Sequence, residues 1–381
     1  MPAFNKRWHL KAIIDDFDAK ALYPSAMHIM KIPLGAPKVW NSTVDWRKSD
    51  YCFLNVTFKP VTKHRAFPLF CDRTKDKNVW TDTFTAPLTM VLGKVFLEDI
   101  IAAYNLKESD YTINRGYYWD EGVDTSINKV IEHVFQSRRD LKYQKNPLEQ
   151  IFKLIMNSSY GKTIQKPIEE ELTYKRAGDE YDSYFFKNYN LIDHAVRIAG
   201  SDIYEIHMRK GIDNTFNYYH IGAIILDYSK HIMNEVMTLA EDIGCRIYYQ
   251  DTDSMHIIRE DLTKLEAAFE EKYHRKLVGD EMGQFHSDFD EGDHAVESWI
   301  LTKKLYLDKL DTGKYHVRMK GVSKEAIIAY NPDVEKTYRD LYDGKAVEFN
   351  LIVGKPKFIF TDDYCVTTNH KFIRKIQLTN H

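Results

Sequence analysis

RIYYQDTDSMHII, residues 246–258, is the stretch whose reading decides the fold. An apolar run, a polar tip and a second apolar run make a tight β-hairpin with Asp251-Thr252-Asp253-Ser254 at its end. Asp251 and Asp253 stand two apart on extended backbone, so their carboxylates point the same way unless the turn rotates one of them. Neighbouring carboxylates repel unless a cation lies between them. A divalent metal shared with substrate phosphates resolves that repulsion. A bare Asp-Thr-Asp-Ser turn is more simply a solvated loop. The apolar strands on both sides argue against the simpler reading, because they make this tip the end of a buried hairpin.

Working outward, KAIIDDFD (residues 11–18) begins apolar and ends in carboxylates, as a buried strand does when it delivers acids to a site. Asp16 and Asp18 share one face of that strand and Asp15 takes the other. Pro24 then ends the extended run and Ser25 onward starts a helix. YCFLNVTF (51–58) reads as a strand, and 88–104 as a strand followed by a helix. Residues 126–144 and 148–161 carry helical periodicity on either side of Asn146-Pro147, a helical hairpin. Residues 221–242 form a long amphipathic helix, 262–274 a shorter one, and 299–319 two extended runs split by Asp311-Thr312-Gly313. Residues 167–220 show no period that places them.

In the second hairpin helix, Lys153, Asn157 and Tyr160 fall at i, i+4 and i+7, opposite Ile151, Leu154, Ile155 and Ser158. The expectation is that the apolar set packs while the other face presents a cation, an amide and a phenol. On the partner helix Arg138, Lys142 and Lys145 repeat the spacing. Two cationic faces across a hairpin repel each other unless an anion binds, and a triphosphate suits Arg and Lys. A solvated helix face is the plainer alternative. Paired acids for metal and cations for a triphosphate fit one reaction, in-line nucleotidyl transfer assisted by two divalent ions.

Composition sets the frame. The 381 residues are 44% hydrophobic and 29% charged, with 53 Lys and Arg against 56 Asp and Glu, a net charge of −3. Bulk charge does not announce a nucleic-acid binder, but residues 137–166 and 303–324 are locally basic, as a groove for a polyanion requires. Cys52, Cys71, Cys245 and Cys365 include no Cys-x-x-Cys pair, so neither a zinc ribbon nor a disulfide framework is indicated. No apolar run approaches the ~20 residues of a membrane span and no signal peptide is seen. A non-secreted, cytoplasmic chain (host cytoplasm or nucleoid if viral) with no membrane partner is expected.

These motifs resemble those of the family B DNA polymerases. Asp18 followed five residues later by Tyr23-Pro24-Ser25 resembles the first palm motif. Lys153-x3-Asn157-Ser158-x-Tyr160-Gly161 resembles the fingers motif, and Tyr249-x-Asp251-Thr252-Asp253-Ser254 the second palm motif. Arg138-x3-Lys142 looks like the paired cations of the other fingers helix, Lys304-x-Tyr306 like the primer-end motif, and Lys320-Gly321 like the step near the thumb. All six occur in the family order.

The resemblance implies an α+β right-hand polymerase with an antiparallel-sheet palm, helical-hairpin fingers and a small thumb. It implies catalytic and metal roles for Asp18, Asp251 and Asp253, with two Mg2+ ions per site (Mn2+ as substitute) held mainly by Asp18 and Asp253. Nucleotide contacts fall to Leu22, Tyr23, Arg138, Lys142, Lys153 and Asn157, with Tyr23 beneath the incoming sugar. DNA contacts fall to Tyr160, Gly161, Thr252, Lys304, Tyr306 and Lys320. The implied partners are template-primer DNA and dNTP.

A finer likeness is to the protein-primed phage and linear-plasmid branch. The domain expectation is palm over 1–50, an insertion resembling a terminal-protein-interacting region, plus palm elements, over 51–122, and fingers over 123–166. A second, strand-displacing insertion follows over 167–218, then palm over 219–322 and thumb over 323–381. Candidate partners are thus a terminal protein and a separate exonuclease or N-terminal polymerase subunit. The first palm motif begins 18 residues from Met1, which suggests an editing-free enzyme, half of a split polymerase, or a trimmed chain. Lys20 and Ala21 depart from the family pattern beside Asp18.

Two competing readings stand. A reverse transcriptase or RNA polymerase would use the same palm chemistry, but Asp-Thr-Asp-Ser and Lys-x3-Asn-Ser-x-Tyr-Gly argue against it. A catalytically silent polymerase-like subunit that only binds DNA or a replication partner would have no reason to keep all three acids.

Overall fold

The computed structural model describes residues 1–73, 78–166, 170–210, 217–290, 292–352 and 371–378. Helices and antiparallel sheets are distributed over two units. One is Met1–Ala26, Pro33–Gly122 and Tyr228–His381; the other is Met27–Ile32 and Val123–Asp227.

β1 (Trp8–Leu10) and β2 (Ile14–Ala19) open the chain. β2 is buried along its length except at Asp18, which is partly exposed. Of its three acids, Asp15, on the far face, is answered by Arg259, which donates two hydrogen bonds at 2.5 and 2.9 Å. α1 (Leu22–Ile29) starts before Pro24 rather than after it. Proline lies in the first helical turn, where its missing N–H is not needed.

β3 (Lys38–Val39), β4 (Tyr51–Phe58), β5 (Leu88–Gly93) and β6 (Tyr111–Trp119) form a sheet in the order β3-β6-β4-β5. Alternation along β4 turns Cys52, Leu54, Val56 and Phe58 inward, and along β5 Leu88, Met90 and Leu92. α2 (Lys94–Tyr104) completes the core with Phe96, Leu97 and Ile100. Each such side chain contributes about 1.5–3 kcal/mol by leaving water.

In the other unit, α3 (Ser126–Tyr143) and α4 (Glu149–Thr163) make the hairpin expected around Asn146-Pro147. The Asn146 side chain accepts the Leu148 N–H at 3.0 Å and so starts α4. Next come β7 (Glu170–Arg176), α5 (Asp179–Asn188), β8 (Ile192–Arg197) and β9 (Ile203–Arg209). The strands pair in the order β7-β9-β8. This segment was illegible in sequence because so little of it is buried: among its described residues Ile206 and Met208 are the buried apolar ones, and Tyr181 stacks on Tyr204 at 3.9 Å. Residues 167–169 and 211–216 of the expected second insertion lie outside the described residues.

α6 (Tyr219–Asp242) is the long helix the periodicity required. The Arg65 guanidinium, itself buried, bonds the carbonyl of Ala103 at the end of α2 and pairs with Glu241 and Asp242 at the end of α6. β10 (Ile247–Asp251), β11 (Ser254–Ile258), α7 (Arg259–Tyr273), β12 (Phe285–Ser287), β13 (Ala295–Thr302), β14 (Leu305–Leu310) and β15 (Tyr315–Met319) follow. The large antiparallel sheet runs β10-β11-β2-β13-β14-β15, with β1 paired to β13 and β12 to β2. The two extended runs expected over 299–319 are three strands, because Lys303-Lys304 turns the chain with Lys304 at φ 58°.

α8 (Lys324–Tyr330), α9 (Val334–Tyr342), β16 (Val347–Ile352) and β17 (Lys371–Ile376) pack on this end of the sheet, around Trp299, Leu307, Ile327, Tyr338, Leu341 and Phe349. Ser323 and Asp333 cap the two helices by accepting the N–H groups of Ala326 and Lys336. Residues 353–370 and 379–381 of the expected thumb, with Cys365, lie outside the described residues. Among the described residues no helix is long and apolar enough to cross a membrane.

Candidate active site

The hairpin closes as a two-residue turn, with Asp251 opposite Ser254 and Thr252-Asp253 between them. Such turns demand a positive φ, and Thr252 supplies it at φ 34°, a strained value for a β-branched residue. The turn separates the two carboxylates. Asp251 swings to the Lys304 ammonium, 2.6 Å away. The backbone carbonyl of Asp253 accepts the Ala19 N–H at 2.7 Å, which staples the tip to the end of β2. In the register of β11 against β2, Ser254 faces Asp18 and His256 faces Asp16. Two acids far apart in sequence, Asp18 and Asp253, therefore act on each other.

Their charges are costly. Burial, then Asp253, Asp288 and Asp16, push the Asp18 carboxyl up to about 7. Burial and the nearby Asp251 raise Asp253, against which Lys304 works. Asp288 is an acid that sequence reasoning missed. It follows β12, whose pairing sets His286 opposite Asp18, and its N–H donates to the Asp16 carbonyl at 2.8 Å. The one cue was FHSDFD (285–290), a short echo of IDDFD (14–18). Asp18, Asp251 and Asp253 do not close into a cage within mutual coordination distance, since Asp251 is held by Lys304. The Asp18–Asp253 pair alone has the donor chemistry for a hard divalent cation: mutually repelling oxygen ligands, partly open, with room for substrate phosphates to complete the shell.

Around the pair, the Tyr23 phenol at the start of α1 is raised by burial and then by the charge of Asp253. Leu22 is buried. Lys20 turns away from Asp18 to an ion pair with Asp280. The Lys304 N–H donates to the Tyr249 hydroxyl at 2.9 Å, and the fully buried Tyr249 ring lies against Tyr306 at 5.0 Å. Tyr306 is only 6% exposed. The Lys320 N–H donates to the Lys304 carbonyl at 2.9 Å. Gly321 follows at φ 78°, where a Cβ would strike Arg374.

The α3–α4 hairpin presents its own candidates. Lys142, Lys153, Asn157 and Gly161 are exposed and Tyr160 is partly buried. Arg138 is neutralised by Glu149 at 3.3 Å, so the two helices do not face each other as bare cationic surfaces. The expected packing face is also corrected. Ile151, Leu154 and Ile155 are 53%, 68% and 47% exposed. Met156 is buried and Phe152 partly so, a 152/156 stripe on the same helix as α3 turns Ile131 and Phe135 inward. The apolar residues of α4 surround the helix, and periodicity alone chose the wrong side.

Comparison with known proteins gives the family and the fold. The profile of the family described as DNA polymerase type B, organellar and viral, matches residues 9–243. An uncharacterized protein, 075R, of Invertebrate iridescent virus 3 is 28% identical over 172 residues, 43% of this chain and 95% of its own. A DNA polymerase of Kluyveromyces lactis is 26% identical over 282 residues, 70% of this chain. This chain spans only 26% of that polymerase's length. Among solved structures, Phi29 DNA polymerase complexed with primer-template DNA and incoming nucleotide matches with a TM-score of 0.59 and 14% identity, over 100% of this chain and 61% of that one. The fold is that of a right-hand polymerase.

Proposed function

Since the chain belongs to the organellar and viral type B DNA polymerases, we propose that it carries the polymerising centre of a DNA-directed DNA polymerase, adding dNTP to a primer 3′-hydroxyl on a DNA template. The observation that carries this reading is the pairing of β11 with β2, which sets Ser254 opposite Asp18 and ties the Asp253 carbonyl to the Ala19 N–H, so that burial and then the Asp253 charge push Asp18 up to about 7.

The reaction joins the primer oxygen to the α-phosphorus of the nucleotide and breaks the bond to pyrophosphate. Divalent ions held by Asp18 and Asp253, Mg2+ foremost, would supply a lowered pKa at the attacking hydroxyl and charge balance on the leaving group. Asp251 and Lys304 form a charge pair that sets the hairpin tip and leaves Asp253 to the ion. Tyr23, at the start of α1 and within the field of Asp253, is assigned to the sugar of the incoming nucleotide. Lys142 and Lys153, exposed and cationic, and Arg138 are assigned to the triphosphate, and Asn157, Tyr160 and Gly161 to the base pair being formed. Thr252, Lys304, Tyr306 and Lys320 are assigned to the primer strand.

Priming by a terminal protein is the finer proposal. Its support is that the region 51–122 builds a sheet with its own buried core, which suits a separate docking module.

The test is extension of a recessed DNA primer by this chain with Mg2+. Extension is expected, and Asp253→Asn lowers it roughly 100- to 10,000-fold, the several kcal/mol a catalytic metal provides. Extension that survives the substitution would remove the assignment, and dNTP against NTP on DNA and RNA templates separates the other polymerase classes.

A further inference from the structure

Behind the reactive acids, the large sheet carries a polar row that nucleotidyl transfer does not use. Asp16 shares Asp18's face of β2 and is 1% exposed; His256 stands opposite it on β11 and Asp308 on β14, both at 0%. His316 is the register partner of Asp308 on β15, and the Ser298 hydroxyl on β13 donates to Asp308 Oδ1 at 2.6 Å.

This row holds two buried carboxylates against one fully buried imidazole. His256 Nε2 lies 3.1 Å from Asp308 Oδ2, and its Nδ1 lies 3.4 Å from Asp16 Oδ1 without hydrogen-bond geometry. His316 Nδ1 is 3.7 Å from Asp308 Oδ2, too far for a hydrogen bond. Three buried atoms are thus left without a hydrogen-bond partner: Asp16 Oδ1, His256 Nδ1 and His316 Nδ1. A buried acceptor without a donor is costly, and a buried carboxylate more so. One ligating atom each from Asp16, Asp308 and His316 lie within 4.8 Å of one another.

We propose that Asp16, Asp308 and His316 bind one zinc-type divalent cation, distinct from the ions of the reaction, with His256 as the neighbouring fourth donor. Donors about 2.0–2.2 Å from such an ion sit roughly 3.4 Å apart in a tetrahedron, so side-chain rotations of about an ångström close the cage. Mixed imidazole and carboxylate donors select zinc-like ions over Mg2+ and Ca2+, which favour oxygen alone. The ion's two positive charges balance the two carboxylates, and binding it gives the otherwise unpartnered side chains of Asp16 and His316 a partner. It ties β2, β14 and β15 together just behind Asp18 and requires no catalysis.

The test uses the full chain carrying Asp253→Asn, which weakens the reaction site and leaves this one intact. The protein is stripped with chelator and titrated with Co2+, followed by visible absorption and equilibrium dialysis. One Co2+ per chain is expected, retained in excess Mg2+ and displaced by Zn2+. His316→Gln, a conservative change at a partly exposed position, lowers that affinity at least about 10-fold. It also abolishes the Zn2+-induced rise in melting midpoint, while circular dichroism shows the same fold. Asp16→Asn repeats the loss from the opposite strand. Absence of stoichiometric Co2+, or Co2+ that Mg2+ competes away and His316→Gln leaves unchanged, overturns the proposal and leaves a proton-bridged His256 between two carboxylates.

Discussion

Burial and three other carboxylates oppose the charge on Asp18, and the consequence is measurable without any substrate. Its folded pKa, about 7, lies above the ordinary 3.8. The folded chain therefore binds that proton more tightly than the unfolded chain does. The resulting stability is fully present below pH 3.8 and is lost as pH rises through about 7. Metal-free melting midpoints should fall between pH 5 and pH 8, and Mg2+ or Mn2+ should restore more of the loss at the higher pH. Asp18→Asn should flatten the fall, gaining about 2–4 °C at pH 8 per kcal/mol of repulsion removed. Differential scanning calorimetry at the two pH values checks this, and a wild-type profile independent of pH would contradict it. At the same scale, Lys153→Ala should raise the KM for dNTP about 10- to 150-fold, the worth of one charge-assisted hydrogen bond. The DNA dissociation constant should stay within about twofold by fluorescence anisotropy. Equal losses in both would place Lys153 on DNA instead.

At the scale of elements, the α3–α4 hairpin separates what sequence shows from what packing decides. That two helices meet at Asn146-Pro147 was legible, because proline and a local cap are written in adjacent residues. Which side of α4 is buried was not, because Ile151, Phe152, Leu154, Ile155 and Met156 leave no single apolar stripe. Met156→Ala should therefore cost about 2–5 kcal/mol by opening a cavity, whereas Leu154→Ala should stay within about 0.5 kcal/mol. Urea unfolding of both variants decides it, and the reverse order would restore the face that periodicity chose. The hairpin 246–258 divides in the same way. Its alternation announced the strands and the acids at the tip. That Asp251 goes to Lys304 and Asp253 to Asp18 depends on a 53-residue separation and on strand pairing, and neither has a local signature. Asp288 escaped notice for the same reason. It becomes a neighbour of Asp18 only because β12 pairs with β2.

Across the whole molecule, a net charge of −3 hides surfaces of opposite character. Many acids are spent internally: Asp15 on Arg259, Glu149 on Arg138, Glu241 and Asp242 on Arg65, Glu335 on Lys309 and Arg339. From the β13–β14 turn through β15 and just beyond it, Lys303, Lys314, Arg318, Lys320 and Lys324 are exposed, so the charge offered to a polyanion there is more positive than the total implies. Binding of primer-template DNA should consequently release counterions and weaken steeply with salt, with a slope in log Kd against log salt of about 0.9 per phosphate neutralised. Replacing Arg318 and Lys320 together by Gln should reduce that slope by about 1–2 and weaken binding evenly across DNA sequences. The turnover rate at saturating DNA should change little, because neither side chain is assigned to the nucleotide. Anisotropy titrations at four or five salt concentrations give the slope directly. An unchanged slope in the double variant would mean that this basic surface is solvated and that the DNA tracks elsewhere on the protein.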